Sequence, residues 1–143
     1  MDCLEWSEEF SVGVDQLDEE HITLFALFND VCAAVEEGRP HQETETLLRA
    51  LLDETREHFA SEERLIAATG FPGFTEHANH HRELSAVLRE YIAKFEREDC
   101  GDSASLIGFL RQWLTRHVLY EDHAYGSWMN AAPSAKEPGK LIC

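Results

Sequence analysis

The sequence predicts an all-α fold, an antiparallel up-down-up-down four-helix bundle with an extended N-terminal arm. Three observations carry this. Four stretches repeat their apolar residues at the three-and-four spacing of a helix face. The connections between them are short and rich in Gly, Pro, Asp and Ser. No stretch alternates apolar and polar residues as a half-buried strand does. Short connections between amphipathic helices make successive helices antiparallel neighbours.

Residues 1–17 carry Trp6, Phe10, Val12, Val14 and Leu17 without a helical period, and are expected as extended chain over one end of the domain. Asp18 is the expected cap of the first helix, whose face reads His21, Leu24, Phe25, Phe28, Val31, Cys32, Val35 before Gly38 and Pro40 stop it. The second helix carries Leu47, Leu48, Leu51, Leu52, Thr55, His58, Phe59, Glu62, Leu65 and Ile66, and ends at Gly70 before Pro72. Thr75 is the expected cap of a third, with His77, His81, Leu84, Val87, Leu88, Tyr91, Ile92 and Phe95 on one stripe. Cys100-Gly101-Asp102-Ser103 is turn chemistry, and Asp102 or Ser103 would cap the fourth helix. That helix reads Leu106, Ile107, Phe109, Leu110, Trp113, Leu114, His117, Val118. The expected division is therefore an arm over 1–17, a bundle over 18–130 and a loosely held tail over 131–143.

The length of 143 residues suits one domain with a proper core. A net charge of −16 argues against nucleic-acid and anionic-membrane partners. No apolar run approaches the roughly 20 residues that span a bilayer. The opening Met-Asp-Cys-Leu-Glu-Trp lacks the basic and apolar regions of a secretory signal, so a cytoplasmic location is expected. The four cysteines form no C-x-x-C pair, which argues against a zinc ribbon or redox motif; Cys32 falls on an apolar stripe and is expected in the core.

The chemistry lies in the histidines. His58 and Glu62 are four residues apart, as are His77 and His81, so each pair shares one helix face a turn apart. His21 lies early in its helix, His58 and Glu62 late, His77 and His81 early, His117 and Asp122 late. In an antiparallel bundle these four regions meet at one end. Five imidazoles and two carboxylates exceed the needs of one ion and suit two, with the carboxylates bridging. Iron fits such mixed nitrogen and oxygen donors, although the donor types equally admit manganese, cobalt or zinc. Three histidines, both carboxylates and a solvent-derived bridge fill six positions on one metal. Two histidines with the same bridges fill five on the other, leaving one position open.

His117 and Asp122 are five residues apart, which on a regular helix turns them about 140° from each other. Both face inward only if the helix widens, so a π-type irregularity is expected between residues 117 and 123. His41, His80 and His123 fall off the stripes and are expected at the solvent, and Glu63 is expected to face solvent or pair with a base. Trp6 is expected to pack over the site end.

These stretches together resemble the hemerythrins, and among them the single-domain bacterial type. The resemblance runs from Trp6 to about Tyr125. It rests on Trp6 with Val12-Gly13, Asp18-Glu19-Glu20-His21, His58-Phe59-x-x-Glu62-Glu63, His77-x-x-x-His81 and Trp113-Leu114-x-x-His117-x-x-x-x-Asp122. It implies two non-haem iron ions with an oxo or hydroxo bridge. His77, His81 and His117 would hold the six-coordinate iron, His21 and His58 the open one, and Glu62 and Asp122 would bridge. It implies reversible dioxygen binding at the open iron, which also admits nitric oxide or small anions such as azide. Phe59, Trp113 and Leu114 match positions lining the oxygen pocket, and Tyr125 matches a tyrosine near the bridging glutamate. Ile66 stands where many members carry methionine, and Glu54 where many carry tyrosine.

The reading that follows is a non-enzymatic protein for oxygen storage, delivery or scavenging, a monomer or weak oligomer with no assigned protein partner. A sensor of oxygen, nitric oxide or redox state keeps the same site. So does a di-iron peroxidase, ferroxidase or nitric oxide reductase, and a plain iron or zinc reservoir is the blandest alternative.

Overall fold

The structure, a computed structural model, describes residues 4–97 and 103–131. Three long helices come first: α1 (Asp15–Glu36), α2 (His41–Thr69) and α3 (Phe74–Arg97). The fourth rod is made of α4 (Ser103–Arg116), a π turn (His117–Asp122) and α5 (His123–Ala131). Backbone packing pairs α1 with α2, α2 with α3, α3 with α4 and α1 with α4, which closes the ring of an up-down-up-down bundle. The core is one continuous cluster, including Leu24, Phe28, Leu48, Leu51, Leu88 and Leu110. Cys32 is buried in it, as expected. Among the described residues, no helix is long and apolar enough to cross a membrane.

Helix ends follow local chemistry. At the end of α1, Gly38 takes φ +64°, and the amides of Gly38 and Arg39 return to the carbonyls of Val35 and Ala34. Gly70, at φ +73°, ends α2 in the same way, with the Gly70 and Phe71 amides on Ala67 and Ile66. Only glycine adopts this left-handed conformation without strain. The expected helix starts need correction. α1 begins at Asp15 with no side-chain cap, three residues ahead of Asp18. The Asp18 carboxylate instead takes the Val12 amide at 2.9 Å and the Ser11 hydroxyl at 2.6 Å. It ties down the arm that a capping role would have left loose. α3 starts at Phe74, so Thr75 lies inside its first turn, and Ser103 is the first residue of α4. Asp102, Cys3, Cys100, Cys143 and the tail after Ala131 lie outside the described residues.

Residues 4–14 are extended apart from a short 3-10 turn at Glu8–Phe10, so the expected arm ends where α1 begins at Asp15. The Leu4 backbone exchanges two 2.8 Å hydrogen bonds with the Asn29 side chain on α1. Trp6 and Phe10 pack on Phe25, with ring centroids 5.5 and 4.9 Å away. Phe25 is one turn beyond His21 along α1, so Trp6 packs on the flank of that helix, next to the level of the site. Val12 crosses α5 so closely that a Cβ at Gly126 would stand 1.8 Å from its carbonyl oxygen.

The five-residue spacing is resolved as expected. His117–Asp122 is a π turn, whose wider winding brings both of its end residues to the core.

Candidate metal centre

All seven sequence-predicted ligands reach one buried level. His21, Glu62 and Asp122 are wholly inaccessible, His58 and His117 nearly so, and His77 is the most exposed at 8%. Each helix contributes from the position its sequence assigns: His21 from α1, His58 and Glu62 from α2, His77 and His81 from α3, His117 and Asp122 from the π turn. All five imidazoles turn Nε2 towards the two carboxylates. Asp122 lies 2.5 Å from His21, 2.9 Å from His117, 3.1 Å from His77 and 3.4 Å from His58. Glu62 lies 2.5 Å from His77, 2.9 Å from His81 and 3.5 Å from His58.

The donors fall into two sets, each with its atoms within 4.8 Å of one another. One holds His21, His58, Glu62, His117 and Asp122; the other holds Glu62, His77, His81 and Asp122. Glu62 and Asp122 belong to both, the arrangement that bridging carboxylates need. His117 stands between the sets, its ring centroid 5.5 Å from that of His58 and 5.3 Å from that of His81. The donor set fits a pair of cations. Glu62 Oε2 and His81 Nε2 are buried without a hydrogen-bond partner, and imidazole nitrogen with carboxylate oxygen is a set suited to iron.

Outside the donors stands a ring of carboxylates that the sequence reading did not assign. His58 Nδ1 donates to Glu20 at 2.6 Å, His81 Nδ1 to Glu63 at 2.8 Å, and His117 Nδ1 to Glu121 at 3.0 Å. Each bond fixes the tautomer that leaves Nε2 available to a metal and raises its basicity. Glu20 is itself held by Ser61 at 2.7 Å and by Gln16. The spacing carried a signal for two of them: Glu121 lies four residues after His117, and Glu63 follows Glu62. Glu20 precedes His21 but serves His58, a long-range contact that no local pattern announces.

Three peripheral histidines were expected at the solvent. His123 is exposed and lies 3.3 Å from the Ser127 hydroxyl. His80 is half-buried because it pairs with the outer oxygen of Glu121. His41, the first residue of α2, stacks on Phe95 with centroids 4.2 Å apart. Glu63 turns to His81 Nδ1 rather than to solvent, and so takes the base-pairing course.

Apolar residues pack directly on the imidazoles. Phe59 stacks on His81 at 3.8 Å and 3°, and Trp113 is parallel to His117 at 6.0 Å. Leu114 is buried in the core cluster, as is Ile66. Tyr125 is fully buried; its hydroxyl meets Thr69 Oγ1 at 2.8 Å, and burial raises its pKa above the ordinary phenol value. Glu54 borders a cleft with Glu20, Glu57 and His58.

Charge follows this packing. Burial alone would lower the pKa of His58 and His77, but hydrogen bonds to Asp122, to Glu20 (His58) and to Glu62 (His77) override it and raise both to about 9. His117 also rises well above its ordinary value against the pull of burial, and burial of Asp122 is overcome by His117, which holds its carboxyl well below the usual range. In the metal-free protein, then, His58 and His77 are protonated at neutral pH. Their stabilising pairs are fully present below the unfolded imidazole pKa of about 6.5 and are lost as pH rises through about 9. Metal uptake must expel these protons. Apparent iron affinity, measured by chelator competition, is therefore expected to climb with pH from neutrality to about 9, with proton release seen in weak buffer. A flat profile over that range would contradict the assignment.

Fold and donors define a class: a four-helix bundle that encloses a buried cluster of imidazoles and two shared carboxylates able to hold a pair of metal ions. Residues 12–129 match the family model described as the hemerythrin HHE cation binding domain. Myohemerythrin of Riftia pachyptila is 34% identical over 120 residues, 84% of this chain and 88% of the relative. Bacteriohemerythrin of Methylococcus capsulatus is 29% identical over 92% of this chain and all of the relative. A wild-type hemerythrin crystal structure superposes with a TM-score of 0.80 at 28% identity, covering 87% of this chain and 96% of that one. The chain belongs to the hemerythrin family. Membership of this family implies non-haem di-iron oxygen binding, and a non-enzymatic role is consistent with it.

Proposed function

We propose that the chain is a reversible dioxygen carrier, serving storage, delivery or scavenging. The observation that carries this is the donor balance, five buried imidazoles against two carboxylates. Ferritin-like di-iron sites use about four carboxylates and two histidines, and so supply more negative charge to stabilise highly oxidised iron. An imidazole-rich site favours release over attack on a substrate.

In this reading Glu62 and Asp122 would be shared by two irons with an oxo or hydroxo bridge, His21 and His58 would hold one, and His77 and His81 the other. His117, which the donor distances group with His21 and His58, would join His77 and His81 by the family resemblance. The iron pair supplies two electrons and one open position for dioxygen, nitric oxide or a small anion such as azide. The chain's own residues set the conditions. Phe59, Trp113 and Leu114 keep water from the open side, which retards proton-assisted loss of the ligand. Tyr125, held by Thr69, braces the α2 end beyond Glu62. The division into arm, bundle and tail, a cytoplasmic location and a monomeric or weakly associating state belong to the same proposal. The net charge of −16 supports the exclusion of nucleic acid and membrane surfaces as partners.

Trp113→Leu tests the wall. It removes the indole face parallel to His117 while keeping an apolar side chain. The lifetime of the oxygenated protein, followed optically, is expected to shorten several fold with iron content unchanged. Sustained turnover of oxygen or peroxide by the unmodified protein would contradict the carrier reading.

A further inference from the structure

The seven donors are sealed inside the bundle, so an ion needs a way in. Among the described residues, two clefts are lined by a metal donor. One, of about 490 Å³, ends on His58 between α1 and α2. Its floor is fastened: Glu20 bonds His58 Nδ1, Ser61 and Gln16 together. The other, of about 960 Å³, lies between α3 and the fourth rod and ends on His77.

His77 differs from the other donors in three ways. It has the largest exposure, 8%. Among the described residues no carboxylate meets its outer nitrogen; glutamates hold His58, His81 and His117 there, and His21, the other donor without one, has its outer nitrogen sealed in the core. It also sits in the first turn of α3, just after the Gly70–Gly73 connection, where little helix precedes it. On the inner side its Nε2 touches both shared carboxylates, Glu62 at 2.5 Å and Asp122 at 3.1 Å. A displacement of this one ring therefore opens a path from solvent to both metal positions. The lip above it carries Glu76, His80 and Glu121, donors for a divalent cation in transit, against the single cation Arg116.

We propose that this cleft is the iron-loading port, with His77 as its moving gate and Glu76 and His80 as the groups that receive ferrous ion at its mouth. The proposal rests on the di-iron reading above. The port delivers the ion without any change in oxidation state, so the gate ring moves, the ion passes and His77 closes behind it as a ligand.

The test is the rate of loading, separated from its end point. Metal-free protein is mixed anaerobically with ferrous ion alone, and uptake is timed by quenching with a chromophoric ferrous chelator. A Glu76→Gln variant is expected to load about 3-fold more slowly, a fraction of the roughly 10- to 1,000-fold that charge focusing over a whole cleft gives. Gln112→Trp, an exposed residue on the cleft wall, is expected to slow loading by obstruction. Both should reach the same final iron content and the same oxygenated spectrum as the unmodified protein. Glu57→Gln, at the mouth of the opposite cleft, should leave the rate unchanged. Unaltered rates in both port variants, or slow loading in Glu57→Gln, would overturn the port. An unmodified chain that stops short of two irons at equilibrium would instead overturn the di-iron reading.

Discussion

Glu62→Gln is expected to reduce iron content from two per chain to one or none and to abolish oxygen-dependent colour. Glu62 is one of two residues shared by both donor sets, and an amide lacks the second anionic oxygen needed to join two cations. The cost reaches further than a missing ligand. His77 and His81 both address Glu62 Oε1, at 2.5 and 2.9 Å, from within the core. Removing the charge leaves buried imidazoles without their anion, and breaking a buried pair from one side costs about 3–5 kcal/mol. The metal-free variant should accordingly melt lower than the metal-free parent, with unchanged helix content by circular dichroism. Two tightly held irons in Glu62→Gln would show that Asp122 alone bridges.

The second large effect is expected at a residue that is no ligand. Glu121 accepts the Nδ1 proton of His117 at 3.0 Å and is braced from outside by His80. Glu121→Ala frees the ring to rotate and lowers its donor strength, and loss of such an outer carboxylate lowers metal affinity by about 10- to 100-fold. The reduction potential should rise, because a weaker donor stabilises ferric iron less. Glu121→Gln, which can still accept the proton, should recover much of the affinity but not the potential. His123→Ala, two residues on and exposed, should change neither. Equal behaviour of all three variants would leave Glu121 with no positioning role.

How far the sequence foretold this depends on the range of each interaction. Helical spacing is local, so the stripes of α1 to α4 and the pairs His58–Glu62 and His77–His81 were legible. Even the π turn was, because two inward residues five apart leave a helix no regular alternative. Antiparallel topology then brought the donors to one level without further information. What escaped was set by partners distant in the chain. Asp18 looked like a cap because the motif is local, but the arm that folds back over α1 claims its carboxylate. Glu20 serves His58 across 38 residues, and His41 finds Phe95 at the far end of α3. The division of the five histidines between the metals was likewise absent from spacing alone, since His117 lies at the centre of the group.

The central claim is that these seven side chains build an iron pair that takes up dioxygen and gives it back. It is tested most directly by titrating the iron-loaded, anaerobically reduced protein with oxygen while recording its visible spectrum, then purging with inert gas. A charge-transfer band is expected that saturates at one dioxygen per two irons and vanishes on purging, over repeated cycles. Rapid, irreversible passage to a di-ferric spectrum, with no oxygenated protein surviving to be purged, would contradict it.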